Sequence, residues 1–540
     1  MKLLKRILVL PLALSVQLLL FPVAASADAW APPQVGSPGN YGFSVADGSL
    51  ISGNSILSAM SKSTVDPTGP SQQILCNGGY SATGPCKFDA PGTTLTGQVF
   101  LPVCITSTQT NCLDTMSIGT SASTMVKSTY VSMTDGPKVV GDTVRGLPDG
   151  STTGLWTNPT LNSGGTSTYA TNLMLNVGFS NGHYVLSDFN AVVLPYKTIT
   201  GDSQFYQAPQ DVQAAYNNGT PMTGEQGGYP GCAWTAEGVC GRIQDFSSGT
   251  VVSMTIRLSS SIGGWFKARM QGPSISVSKF DGTSNLITVS GQSVDVPAIT
   301  FETPVAGADS ATSKFFSFVN LSATNPSGWV FYSDKAQALS AVNYVRTYIK
   351  DTSSGSVNMW SFGSIPATGN SCLTNTSAVL GVVSTNAMVY NSSFPAFSNG
   401  TLSYQVAGMH YMTDGTLTHG IYDMVMADSV ARCLYKFTNA PISGSVSITS
   451  DSSGGQNVAT TSVSDIGGWV HLAAYNFQFS NPVITVKLTQ ESQPPVIVAP
   501  TTTTTVEKAV NKSITCAKGK LIKKVTGPNP KCPAGYVLKK

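Results

Sequence analysis

Residues 251–291 read VVSMTIRLSSSIGGWFKARMQGPSISVSKFDGTSNLITVSG. Three runs in this stretch, 251–258, 274–280 and 286–290, are rich in β-branched residues. In Ser274-Ile275-Ser276-Val277-Ser278 polar and apolar side chains alternate strictly. Alternation at period two gives a strand one covered and one wet face. Asp281-Gly282 separates the second run from the third and is a hairpin signal. The stretch therefore predicts antiparallel strands with one buried side, as in a β-sandwich.

The same pattern recurs along the chain. Strands are predicted at 379–383, 444–449 and 482–488, and Val483-Ile484-Thr485-Val486-Lys487-Leu488 alternates again. Asp-Gly turns begin at Asp47, Asp135, Asp149, Asp281 and Asp414, and Asn-Gly turns at Asn77, Asn181, Asn218 and Asn399. One helix interrupts them. Ser333 can cap a run over 334–350 in which Ala338, Val342, Val345 and Ile349 line one face. A shorter helix is predicted over 209–216, closed by Asn217-Asn218-Gly219. The fold class expected is mainly β: tandem sandwich-like (Ig-like) modules with one or two inserted helices.

An internal echo accompanies this. Ile262-Gly263-Gly264-Trp265 returns as Ile466-Gly467-Gly468-Trp469, and each is followed by a strand opening on Pro, at Pro273 and Pro482. Two related β-modules are expected, with each Trp in a core that the glycines let it approach.

The ends differ from the body. Lys2, Lys5 and Arg6 precede an uncharged apolar stretch, 7–25, and Ala25-Ser26-Ala27 is a small-x-small cleavage site, so residues 1–27 read as a secretory signal and Asp28 as the mature start. No second long apolar run occurs, so no membrane span is expected after cleavage. Residues 491–506 are a Pro/Thr linker, expected to be disordered, and 507–540 a basic tail. Between them the expected modules are 28–305, a disulfide-containing β region; 306–436, a mixed β region with the helix; and 437–490, an Ig-like module.

Only 11% of the 540 residues are charged, and Gly numbers 53, which suits an extracellular β-protein rich in turns. The net charge is +3; the leader's three bases supply +3 and the tail's nine Lys against one Glu supply +8, which leaves −8 on residues 28–506. An acidic body argues against nucleic-acid binding, and the basic tail for an anionic partner. The ten Cys fall in local pairs, Cys76 with Cys86, Cys104 with Cys112, Cys232 with Cys240 and Cys516 with Cys532, leaving Cys372 and Cys433. Short-loop disulfides in an exported chain are the simplest reading, although spacing does not fix connectivity.

The tail reads Ile514-Thr515-Cys516-Ala517-Lys518-Gly519-Lys520, Lys523-Lys524-Val525-Thr526-Gly527 and Pro530-Lys531-Cys532-Pro533-Ala534-Gly535-Tyr536. It resembles a C-terminal module of uncharacterised secreted actinobacterial proteins, which follows Pro/Thr linkers there. Ala431-Arg432-Cys433-Leu434-Tyr435-Lys436-Phe437, with Gly467-Gly468-Trp469, is similar to a β-module that precedes such tails. The resemblance implies a secreted or envelope-associated protein and supplies no catalytic residues. A stapled loop carrying Lys518, Lys520, Lys523, Lys524 and Lys531 suits an anionic cell-wall polymer or glycan.

Three further stretches carry candidate chemistry. Gly178-Phe179-Ser180-Asn181-Gly182 matches a nucleophile-elbow string with His183 after it, but a strand follows where that motif needs a helix. The same Phe-Ser-Asn-Gly string at 397–400 also sits between strands, so both read as hairpin turns. A two-residue turn at Asp414-Gly415 would set His410 opposite His419, half of a metal site; Asp423 shares that face too far along to complete it. The Cys232–Cys240 loop, with Glu225, Tyr229, Trp234, Glu237 and Arg242, could grip a sugar or peptide. No cofactor is expected. The function expected is a non-enzymatic secreted protein of the cell envelope, for surface display or ligand and glycan binding, with a polymer hydrolase lacking a linear motif as the alternative.

Overall fold

The computed structural model describes residues 40–47, 55–61, 72–84, 86–200, 231–236, 238–310, 329–332, 336–346, 348–365, 370–374, 378–391, 394–438, 442–450, 460–479, 482–490 and 511–540. The chain is mainly β, with several sheets and, among the described residues, two helices. It divides into two compact units, 1–490 and 491–540.

The first unit is organised around one long sheet. Its ladder runs through 72–75, 56–61, 93–100, 168–180, 183–200, 355–365, 264–269, 379–385, 420–427, 469–477 and 460–466. All these pairs are antiparallel except 264–269 with 379–385. Strand Gly355–Ile365 branches: its second half pairs with 265–269 and its first half with 294–298.

A second sheet, in the order 271–279, 284–292, 251–259, 112–119, 126–127, covers one face of the long sheet. The opening stretch of sequence thus forms three adjacent strands of that cover, as its alternation predicts. Val252, Met254, Ile256, Ile287 and Val289 point inward and meet Leu175, Ala191, Phe266, Phe362 and Val382 of the long sheet. On the outer face Thr255 and Thr288 hydrogen-bond through their hydroxyls at 2.9 Å.

A third sheet, 389–390, 401–407, 482–490 and 442–450, covers the opposite face. Its Leu402, Tyr404, Ile448, Ile484 and Val486 pack on Trp265, Tyr422, Met424, Met426 and Leu472. The middle of the long sheet is therefore clad on both sides. This explains why Val379–Thr385 is buried at every residue and reads as a continuous run rather than an alternation. Gly381 is needed there, because a Cβ at that position would collide with the Val425 carbonyl oxygen and lie 2.6 Å from the Trp265 ring.

Helix Ala336–Arg346 lies within the predicted 334–350. Ala338, Val342 and Val345 are buried, and Ile349 beyond it packs on the same cluster with Met388, Val389 and Met409. The helix expected over 209–216 lies outside the described residues. A second helix, Asp428–Tyr435, occupies part of the stretch that resembles a β-module; it buries Val430, Ala431 and Leu434 and closes on Lys436 in the left-handed region.

The divisions expected at 305 and 436 fall inside the first unit. Strands pair across both: 264–269 with 355–365 and 379–385, and 420–427 with 469–477. The two Gly-Gly-Trp segments are alike in part. Trp469 is the first residue and Trp265 the second of a strand of the long sheet, and each Pro strand joins a cover, but on opposite faces. The preceding strands differ, because 460–466 forms a hairpin with 469–477 whereas 251–259 belongs to a cover. Trp265 is fully buried and Trp469 half-buried.

All ten Cys are paired: Cys76–Cys86, Cys104–Cys112, Cys232–Cys240, Cys372–Cys433 and Cys516–Cys532. The Cys372–Cys433 bridge ties the second helix to the loop after Gly355–Ile365 across a separation of 61 residues. Among the described residues no helix is long and apolar enough to cross a membrane. The second unit is a three-stranded sheet, 521–527, 512–518 and 537–538, stapled by Cys516–Cys532.

Candidate functional site

The two Gly-Gly-Trp regions lead to the site. Gly467 and Gly468, at φ +62° and +85°, turn strand Thr460–Ile466 into Trp469–Phe477, with Ile466 opposite Trp469 and Ser464 opposite His471. Both positive angles are what a tight two-residue hairpin demands, and Gly supplies them without strain. Trp469 and His471 project on the same face, toward the second sheet. Between this hairpin and strand Gln271–Lys279 lies a groove of about 500 Å³ lined by Ser274, Ile275, Ser276, Val277, Ser464, Ile466, Gly467, Trp469 and His471. Its size falls within the range of about 300–1,000 Å³ common for small-molecule sites.

Four consecutive residues of one strand line the groove because its edge, not its face, forms the wall. Gln271–Lys279 is the last strand of its sheet, and among the described residues its ladder partner is 284–292. Ser274 and Ser276 are exposed there. The floor supplies an indole, an imidazole and the Ser464 hydroxyl. Burial holds the His471 imidazole below its ordinary pKa, so it is neutral at neutral pH.

A buried carboxylate lies below the groove. Asp423 is on the long sheet opposite Ala473 and is only 4% exposed. The Tyr475 hydroxyl donates to its Oδ1 at 2.6 Å, and the Gly272 N–H to its Oδ2 at 3.1 Å. The second bond crosses from the long sheet to the groove's wall strand, so Asp423 fixes wall to floor. Burial pushes its pKa up to about 6, against the lowering effect of both hydrogen bonds. Burial also raises the Tyr475 phenol, with the Asp423 charge adding to it. Both Asp423 oxygens are engaged, and the residue is not among those that line the groove.

The candidates read from the sequence fall elsewhere. His410 and His419 do not face each other. The Met412 N–H donates to the Thr416 carbonyl at 2.8 Å, Tyr411 pairs with Leu417, and the Thr418 N–H donates to the His410 carbonyl at 2.8 Å. The loop thus holds three residues, Thr413-Asp414-Gly415, with Gly415 at φ +82° and the Asp414 carboxylate accepting from the Thr416 N–H at 2.9 Å. That slip of one residue puts the two imidazoles on opposite faces. His410 instead joins Asp351, which also lies 3.3 Å from Arg346, and His419 is exposed. Among the described residues no group of three His, Cys, Asp or Glu could hold a metal ion.

Ser180 sits in a hairpin, paired with His183 around Asn181 and Gly182 at φ +53° and +79°, and Ser398 pairs with Thr401 likewise. In the Cys232–Cys240 hairpin the Trp234 indole lies against Gly241 and meets the Tyr196 ring edge-on at 5.8 Å, which makes it a packing group. Glu225, Tyr229 and Glu237 lie outside the described residues. Lys518, Lys520, Lys523, Lys524 and Lys531 are all exposed.

A further charged pair is structural. Arg269, 1% exposed, meets Asp47 at 2.6 Å, donates to the carbonyls of Thr385 at 2.8 Å and Ala387 at 2.6 Å, and stacks over Tyr390. The sequence pattern puts Trp469 in a core and marks neither His471 nor Asp423 as part of a site. The recurrence of Gly-Gly-Trp was the one signal that pointed to the groove.

No protein-family model, curated protein or solved structure matches the chain.

Proposed function

We propose that the protein is a non-enzymatic extracellular binding protein. It holds a neutral glycan segment in the groove between strand Gln271–Lys279 and the Trp469 hairpin, and its basic C-terminal unit keeps it at an anionic envelope surface. The observation that carries this reading is the groove's lining: an indole, a neutral imidazole and three serine hydroxyls. An aromatic face suits the C–H face of a sugar, and hydroxyls suit its rim. The adjacent carboxylate, Asp423, is occupied by Tyr475 and Gly272, which favours binding over acid–base chemistry. Five disulfides suit an oxidising compartment.

The test is calorimetric titration with a panel of neutral β-linked oligosaccharides, the N-acetylglucosamine tetramer among them. One of them is expected to bind, with affinity lost about tenfold in Trp469→Ala, a cost of about 1.4 kcal/mol. Ser276→Arg, on the exposed wall, is expected to block the groove without touching the core. Binding indifferent to both substitutions overturns the groove. Release of new reducing ends from a polymer overturns the non-enzymatic reading.

A further inference from the structure

The C-terminal unit carries more than charge. Four apolar side chains stand in water there: Leu521 at 65%, Ile522 at 59%, Val537 at 73% and Leu538 at 57% exposure. They are not scattered. Leu521 pairs with Lys518, Ile522 with Ala517, Ala517 with Val537, and Cys516 with both Lys523 and Leu538. All four therefore lie within a few rungs of the Gly519-Lys520 turn, at one end of the sheet. Exposed Lys518, Lys520 and Lys523 share that end, and Lys524 follows on the face of Ile522. Leu521 and Leu538 stand on the face of Cys516, and Ile522 and Val537 on the other face with Ala517, so the tip is apolar on both sides. Cys516 itself is buried, bridged to Cys532, while the four apolar side chains beside it stay exposed.

A hydrophilic polyanion would satisfy the lysines and leave these four side chains in water. A bilayer of anionic lipid satisfies both, since its headgroups meet the ammonium groups and its acyl boundary takes the apolar tip. Hence we propose that the tip at 518–524 and 537–538 is a membrane-surface foot, seated on anionic phospholipid. This rests on the reading that the basic unit engages an anionic envelope surface, and it names that surface. Each lysine adds attraction that salt screens within a Debye length, whereas the apolar contribution persists in salt.

The experiment is co-sedimentation of the chain from Asp28 onward with phosphatidylcholine vesicles and with phosphatidylcholine–phosphatidylglycerol vesicles across a salt series. Polyphosphate-coated beads serve as an anion without an apolar phase. The same protein ending at Gln490 reports any contribution of the body. Binding is expected to the mixed vesicles, not to phosphatidylcholine alone, and to require the C-terminal unit. Ile522→Ser with Val537→Ser is expected to lower vesicle affinity about tenfold and bead affinity less than about twofold. Leu521→Ser with Leu538→Ser, at the same exposed tip, guards against a local folding defect in the first pair. Vesicle binding unchanged in both pairs overturns the lipid foot and leaves an anion-binding unit. Failure to bind vesicles and beads alike overturns that broader reading too.

Discussion

Replacing Asp423 by asparagine removes a charge from the interior without removing its shape, and the consequence depends on pH. In the folded protein burial raises the carboxyl pKa from 3.8 to about 6. A rise of that size corresponds to about 3 kcal/mol of difference between the protonated and ionised forms. Between these two pKa values the folded state binds more protons than the unfolded state, so stability falls as pH rises. The group's favourable contribution is fully present below about pH 4 and lost above about pH 6. The amide in the Asp423→Asn variant does not titrate. The unfolding free energy of wild type minus that of Asp423→Asn is therefore expected to drop by about 2.4 kcal/mol between pH 4 and pH 7. Denaturant titrations of the two proteins, followed by fluorescence at several pH values, give this difference, and the other carboxylates cancel in it. A difference that is flat over this range would refute the burial of an ionisable Asp423.

Four other outcomes follow from the packing. Tyr475→Phe removes the donor at 2.6 Å that favours the Asp423 carboxylate, and is expected to destabilise by about 1.5–3 kcal/mol at pH 7 but much less at pH 4, read by the same titrations. Trp265→Ala empties a fully buried site facing the third sheet and is expected to cost about 3–5 kcal/mol in denaturant midpoint times slope. Arg269→Met leaves Asp47 buried without its guanidinium and is expected to cost about 3–5 kcal/mol, with lowered protease resistance as a second readout. Replacing both Cys372 and Cys433 by Ala opens a loop of separation 61 and is expected to cost about 4 kcal/mol, against about 2.5 kcal/mol for the separation of 8 at Cys104–Cys112.

The sequence is legible here wherever the deciding interaction is local. Alternation in 274–278 and 483–488 gave strands with the right buried faces, because a strand's side-chain period is a property of its own backbone. Asn181-Gly182 and Asn399-Gly400 gave hairpins, since those residues enter the left-handed region readily. The face of helix Ala336–Arg346 was legible for the same reason. Sheet partnership was not. Strand Gly264–Arg269 lies between 355–365 and 379–385, some 90 to 120 residues away, and nothing in its own residues names them. Helix Asp428–Tyr435 spans 8 residues, too short for a repeating period to show.

The candidate site was less legible than the fold. The His410–His419 pairing failed on one residue of register, because Asp414 caps Thr416 and lets Gly415 bulge where a two-residue turn was expected. A single slip exchanges the faces of the whole strand. The groove joins 274–277 to 464–471, segments set side by side only by the packing of two sheets. His471 and Asp423 carry no motif, and their importance comes from burial and neighbours. Trp469 was visible through its echo of Trp265, but the echo concealed a difference, since one indole is enclosed and the other lines a groove.

Hydrogen–deuterium exchange tests the groove most directly, with the protein alone and saturated with the tightest binder of the oligosaccharide panel. The result expected is protection confined to 274–277 and 464–471, absent in Trp469→Ala. Protection centred elsewhere on the body, with these two segments unchanged, would contradict it.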